Sequence, residues 1–296
     1  KIDKLASGEK EWILTSGWRN DVVNSDDYRA YVGGTSGLIY GYVNDGFYTV
    51  ADFESFDSKS RTWKLKEGVV DSSPLSDTPR PGNAKFKKLT AIDPNSTNPY
   101  QLTEADRTVI GNTTPKFSGG FGLNATYKGF DMSMFFNFMY DFDVLNANKI
   151  MLTTWADNKE NNFLMDIASD KRWRNFDDMG NEIRYSPEVL AEFNKNATMW
   201  NPTSIGRPIC MSYAVEDGSF LRLNSATLGY TLPSVWTKKV GLSKVRFYVS
   251  GNNLFTLTGY SGYDPEVNIA TGLTPNIDYN RYPRSRTYTF GAQLTF

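Results

Sequence analysis

The chain has 296 residues, one cysteine, no histidine, and 32 Lys plus Arg against 33 Asp plus Glu. Near-neutral charge gives no pull toward nucleic acid or an anionic surface, the lone Cys210 excludes an internal disulfide, and the lack of histidine removes serine–histidine triads, histidine-ligated zinc hydrolases and histidine-ligated haem. Aromatic residues make up 15% of the chain at a mean hydropathy of −0.47, which suits apolar groups spread along alternating strands, and no run of about 18 apolar residues exists to cross a membrane as a helix.

In chain order, Lys1-Ile2-Asp3-Lys4-Leu5 carries neither an initiator Met nor a charged-then-apolar leader, so the chain is read as a fragment or processed product. Residues 1–116 are expected to form a barrel strand end and a long external loop region. Within them Trp12 to Trp18 and Gly37 to Tyr48 suit strands or an ordered loop, and Pro74 to Pro99 is loop.

The barrel strands are expected in 117–296. From 117–127 the odd positions Phe117, Phe121, Leu123, Ala125 and Tyr127 are mostly apolar, and their even neighbours are small or polar. From 130–142 the even positions Phe130, Met132, Met134, Phe136, Phe138, Tyr140 and Phe142 take over. Strand side chains alternate with period two, so each segment has one greasy face. Only Lys128 and Gly129 lie between them, the length of a hairpin turn that sets Tyr127 opposite Phe130 and both greasy sets on one face. A strand at 219–231 switches parity between Leu223 and Ala226, which predicts a bulge near Asn224-Ser225 or a stretch above the membrane. Strands at 244–257 and 284–296 complete five. Asn253 falls on the apolar face of its strand and is expected near the bilayer edge. Tyr127, Tyr140, Tyr230 and Tyr288 are placed at strand ends as an interfacial girdle.

The connections sort by length. The links 128–129 and 232–243 are short, whereas 143–217 and 258–283 are long, and alternating strand direction puts the short links at one rim and the long ones at the other. That is the layout of an outer-membrane barrel, and a secreted β-sandwich has no reason to share it. Ser186-Pro187 opens a short helix in the first long loop, with Ser as N-cap and Pro at its first position. Five strands cannot close a barrel, so either the remaining staves lie upstream in a longer parent or the membrane reading is wrong.

Val215-Glu216-Asp217-Gly218-Ser219-Phe220-Leu221-Arg222-Leu223, Leu228-Gly229-Tyr230-Thr231-Leu232-Pro233, Phe247-Tyr248-Val249-Ser250-Gly251-Asn252-Asn253-Leu254-Phe255 and Gly262-Tyr263-Asp264-Pro265-Glu266 jointly resemble signatures of the SusC/RagA family of TonB-dependent outer-membrane transporters of Bacteroidetes. Gly41-Tyr42-Val43-Asn44-Asp45-Gly46-Phe47, Asp106-Arg107-Thr108-Val109-Ile110-Gly111 and the final Phe296 extend the resemblance over most of the chain. It implies an all-β fold: the C-terminal strands of a large antiparallel transmembrane barrel, 22-stranded in the family, with long extracellular loops. It also implies an outer-membrane location and the rest of the barrel and a plug in the same parent chain. The partners it implies are a SusD-like surface lipoprotein as lid, the TonB system, and outer-membrane lipid. Tyr288, Phe290 and Phe296 are then the terminal signal for barrel assembly.

The family's acidic, glycine-rich stretch before Asp106 reads here Asp93-Pro94-Asn95-Ser96-Thr97-Asn98-Pro99. Asp93, Asn95, Thr97, Gln101 and Glu104 fit EF-hand-like positions, but Asn98 stands where Gly is wanted, and a plain turn is the preferred reading. No other cofactor is implied.

Carboxylate pairs such as Asp26-Asp27 and Asp177-Asp178 are adjacent in sequence, and a glycosidase needs two carboxyls opposed across a substrate, so no enzyme is expected. Trp155, Trp173 and Trp200, with Phe163, Phe176, Tyr185 and Phe193, are either a substrate or partner platform or the packing that an ordered 75-residue loop requires. Lys171-Arg172-Trp173-Arg174 is read as solvated or partner-facing surface rather than an anion site. The expected role is uptake of an oligomeric nutrient, oligosaccharide or peptide. The alternatives are a secreted β-sandwich adhesin or lectin and a passive porin. On this facing Phe136→Arg is harmful and Asn137→Arg mild.

Overall fold

The computed structural model describes residues 1–296 except Asn20, Ser25, Asp77, 155–161, Ser169 and 267–271. The chain forms two compact units, one of Lys1–Thr113, Leu145–Val215 and Asn268–Tyr279, the other of Thr114–Val144, Glu216–Val267 and Asn280–Phe296.

The second unit is a five-stranded antiparallel meander: β1 (Phe117–Tyr127), β2 (Phe130–Tyr140), β3 (Phe220–Thr231), β4 (Lys244–Thr258) and β5 (Thr287–Thr295), each paired with the next in sequence. Lys128 and Gly129 both take positive φ, 45° and 89°, the two left-handed residues a type I′ hairpin turn demands. The turn sets Tyr127 opposite Phe130.

From that turn upward the register stacks the apolar side chains in rows. Tyr127, Phe130, Tyr230, Phe247 and Ala292 form the first row, and Ala125, Met132, Leu228, Val249 and Phe290 the second. Leu123, Met134, Ala226, Gly251 and Tyr288 follow, then Phe121, Phe136, Leu223 and Phe255. The parity switch of β3 is resolved between the third and fourth rows. Where β2 advances one residue, from Phe135 to Phe136, β3 advances two and β4 three, so Asn224, Asn253 and Leu254 drop out of the ladder. One extra residue in β3 flips its parity and returns Leu223 and Leu221 to the apolar face.

Expectations for Asn253 and for two strand boundaries need correction here. Asn253 is not on the apolar face: it is a bulge residue at φ 52°, and its amide donates to the Ser285 carbonyl at 3.0 Å. The second strand ends at Tyr140 rather than 142, because Asp141 turns the chain at φ 58°. Phe142 is thereby carried off the greasy face into a buried cluster with Val144, Phe220 and Tyr260. The last strand begins at Thr287 rather than 284, so Tyr288 lies in the third row and not at a rim. Phe135, at an odd position, lies on the polar face, where a Cβ on Gly120 would come within 2.8 Å of its ring.

The polar face is built around glycine. A Cβ at Gly229 would lie 2.3 Å from the Arg246 guanidinium, and one at Gly291 2.3 Å from the Tyr248 ring. The space over Gly229 lets Arg246 reach across β3 to Asp131 on β2, Nε to Oδ1 2.9 Å.

The first unit is an assembly of short pieces. Glu11–Leu14, Tyr28–Tyr31, Leu38–Gly41 and Thr108–Asn112 form a four-stranded antiparallel sheet, and Phe53–Asp57 pairs with Thr62–Leu65 as a hairpin. Trp18, Tyr28, Ile39, Leu145, Ile150 and Ile277 share one core, and Tyr42, Phe86, Leu102, Trp200 and Ile205 another. The helix Pro187–Phe193 has Pro at its first position, but Ser186 makes no side-chain cap. Among the described residues no helix is long and apolar enough to cross a membrane, which says nothing of strands.

Candidate functional site

Trp155 lies outside the described residues. Trp200 is 2% exposed; its Nε1 donates to the Thr153 carbonyl at 3.2 Å and its ring meets Tyr213 edge-on at 4.8 Å. Trp173 is 3% exposed, packed with Ile183, Leu190 and Phe47. Neither ring offers a face to a ligand, so the platform reading is corrected to packing: a loop this long needs its own core, and indole supplies it. Among the loop's described large aromatics Phe176 alone is well exposed, at 44%. Tyr288 and Phe290 project from the edge strand β5, and Phe296 follows it, all three exposed.

The segment around Asp93 is a turn in which Asp93 Oδ1 accepts the Asn95 N–H at 2.9 Å. Among the described residues no group of three or more acidic, cysteine or histidine side chains is placed to hold a metal.

The motif residues do more than their sequence positions suggest. Arg222, from Phe-Leu-Arg-Leu, meets both acids of Tyr-Asp-Pro-Glu: Nη2 is 2.5 Å from Asp264 Oδ1, and Nε is 2.8 Å from Glu266 Oε2, an ion pair without hydrogen-bond alignment. Glu266 also sits 3.5 Å from Arg284 Nη1 and accepts from Asn137 Nδ2 at 3.4 Å. Arg222 and Asp264 are almost wholly buried. Glu216 takes the N–H and hydroxyl of Ser261 at 3.0 and 2.8 Å. The start of β3 is thus tied to the segment after β4. Asn137 is part of this cluster, so the expectation that Asn137→Arg is mild is withdrawn. Charges in two separate motifs were the available signal, and nothing in the sequence shows that they pair.

Asp106 is the second such centre. Its Oδ1 accepts from Leu89 N (2.8 Å), Thr90 N (2.7 Å) and Thr90 Oγ1 (2.7 Å). Its Oδ2 accepts from Thr103 N (2.8 Å) and Thr103 Oγ1 (3.1 Å), with Lys88 Nζ at 3.4 Å. Burial pulls this carboxyl upward, but the bonds from Thr90, Thr103 and Leu89 outweigh it and hold it well below the usual carboxylate range. A lowered folded value gives stability that is complete above the unfolded value of about 3.9 and lost as pH falls through the folded one. Hydrogen-exchange protection at Leu89, Thr90 and Thr103 is therefore expected to hold down to about pH 4 and to fall only below it. Asp106→Ala should erase it at neutral pH, leaving donors unpaired at about 1–3 kcal/mol each. Protection in the variant equal to that of the wild type would show that the carboxylate is dispensable.

A third feature is a cleft of about 330 Å³ with a smaller cavity adjoining it. Both are lined by Arg184, Asn175, Asn201 and Thr203.

No family model matches the chain. Among curated proteins it is similar to the TonB-dependent receptor P3 of Formosa agariphila, 33% identical over 266 residues, 88% of this chain and 22% of the relative. The TonB-dependent receptor SusC of Bacteroides thetaiotaomicron is 38% identical over 88 residues, 28% of this chain and 8% of that one. The chain belongs to the SusC/RagA family of TonB-dependent transporters. Among solved structures, that of the RagAB peptide transporter superposes with a TM-score of 0.59 at 21% identity, covering 100% of this chain and 25% of that one, a likeness of fold. The RagAB peptide importer in its open-open state gives a TM-score of 0.57 over 99% of this chain and 25% of its own. The chain spans about a fifth of the length of the curated receptors P3 and P26. As a SusC/RagA chain it is an outer-membrane β-barrel protein, and its five-stranded meander is barrel wall. The relatives are receptors and importers, not enzymes.

Proposed function

We propose that this chain supplies wall strands and external loops to a TonB-dependent importer of an oligomeric nutrient, closed from outside by a SusD-like lipoprotein. The observation that carries it is the continuous apolar face of the meander: Phe130, Phe247 and Phe290 are 51, 51 and 81% exposed, where a sandwich would bury them under a second sheet. Lipid is the solvent that makes such a face favourable, and the antiparallel ladder satisfies the backbone groups that lipid cannot. The chain does no bond chemistry in this reading. The exposed Tyr288, Phe290 and Phe296 serve as the signal for insertion.

Uptake of a labelled oligosaccharide or peptide nutrient by cells carrying the full-length transporter is expected to stop when TonB is deleted, and a tagged transporter should retain a surface lipoprotein through purification. Uptake that persists without TonB would mean a passive porin. A parent protein that dissolves without detergent would mean a secreted sandwich.

A further inference from the structure

Five guanidinium groups converge on the cleft and its neighbour: Arg172, Arg174 and Arg184 line the first, and Arg61, Arg80 and Arg184 the second. They come from three separate stretches of a chain whose overall charge is −1, and among the described residues no Asp or Glu lines either cavity. Asp178 lies 2.7 Å from Arg174 and Glu182 pairs with Arg184. Arg61, Arg80 and Arg172 have no carboxylate partner among the described residues. Among the described residues three positive charges are thus unmatched across the two adjoining cavities, where low-dielectric walls focus their field.

Three of the guanidinium groups also rest on aromatic rings. Arg61 lies 4.7 Å over the Tyr185 ring, Arg184 5.2 Å over Phe176, and Arg174 4.8 Å over Phe193. A cation–ring contact spends no hydrogen bond, so the N–H donors of these groups are left for a carboxylate or sulfate.

We infer that this cleft binds an anionic oligosaccharide, one bearing carboxylate or sulfate groups, and so selects the class of nutrient; the inference rests on the importer reading above. The remaining lining decides for a sugar over an acidic peptide. Asn175, Asn201 and Thr203 face both cavities and offer the mixed donors and acceptors that a hydroxyl-dense ring requires. This replaces the reading of Lys171-Arg172-Trp173-Arg174 as solvated or partner-facing surface.

The test is calorimetric titration of the detergent-purified full-length transporter with four probes: oligogalacturonate, a sulfated galactan oligosaccharide, an uncharged galacto-oligosaccharide of equal length, and hexaglutamate. At least one of the two charged oligosaccharides should bind, more weakly as salt is raised. Its affinity should fall tenfold or more in Arg172→Gln/Arg184→Gln and threefold or more in Arg80→Gln, whose exposed side chain leaves folding untouched. Absence of binding by both charged oligosaccharides, or binding unmoved by these variants, overturns the inference. Binding of hexaglutamate alone also overturns it and moves the cleft to acidic peptides. TonB-dependent uptake of an uncharged nutrient, with no charged oligosaccharide bound, would sink this inference and leave the importer standing.

Discussion

Phe136→Arg in the full-length transporter is expected to cost about 2–4 kcal/mol of barrel stability, the penalty for an arginine on the lipid face near mid-bilayer. The depth follows from the register. Phe136 is six residues above the row at the tight turn, about 20 Å along a strand at about 3.4 Å per residue. Tilted by about 40°, that becomes roughly 15 Å of height in an apolar band about 25 Å tall. Its ring stacks on Phe121 at 4.9 Å and 13°, and its row mates are Leu223 and Phe255, so no carboxylate lies in the row to receive a guanidinium. The control is Ser133→Arg on the opposite face of the same strand, opposite Asn124 and Thr227, where little change is expected. The readout is the fraction that stays compact on unheated gels, followed by denaturant unfolding in lipid. Equal losses for both variants would count against this facing, and a larger loss for Ser133→Arg would mean that the two faces of the sheet are assigned the wrong way round.

How much of this was legible depends on the range of the interaction. The first hairpin could be read because two local signals coincide: the side-chain period of Phe117–Tyr127 and Phe130–Tyr140, and a two-residue turn that admits one register. The bulge in β3 was visible as a change of parity, since an inserted residue must shift every later side chain to the other face. Its counterpart in β4 was hidden. Asn253 and Leu254 insert two residues, which preserves parity, and only the backbone conformation shows that Asn253 has left the ladder. Phe142 was misplaced for a similar reason: alternation continues through Asp141 in the sequence while the chain turns there. The fate of Trp173 and Trp200 was open because aromatic content does not distinguish a loop's core from its surface. The arginine cleft was beyond reach, since Arg61, Arg80 and Arg184 are brought together by tertiary folding alone.

Arg222→Met is expected to free the segment after β4 from the strands while leaving the ladder intact. Arg222 and Asp264 are 42 positions apart in sequence and buried together, so the variant strands the Asp264 carboxylate in a site that water does not reach. Removing one member of such a pair typically costs about 3–5 kcal/mol, most of it the penalty for the unpaired charge rather than the strength of the bridge. Glu266 is partly protected, because Arg284 at 3.5 Å stays with it, so the loss should centre on Asp264. The double variant Arg222→Met/Asp264→Asn tests this directly. With the carboxylate gone there is no stranded charge, and the second substitution should recover much of the first loss instead of adding to it. Limited proteolysis within 258–266 should rise sharply in Arg222→Met and return toward wild type in the double variant, with compact barrel on unheated gels in both. If the two losses add, or if the single variant is cut no faster than wild type, the buried pair is not what holds this segment, and the Glu216–Ser261 contacts would have to suffice.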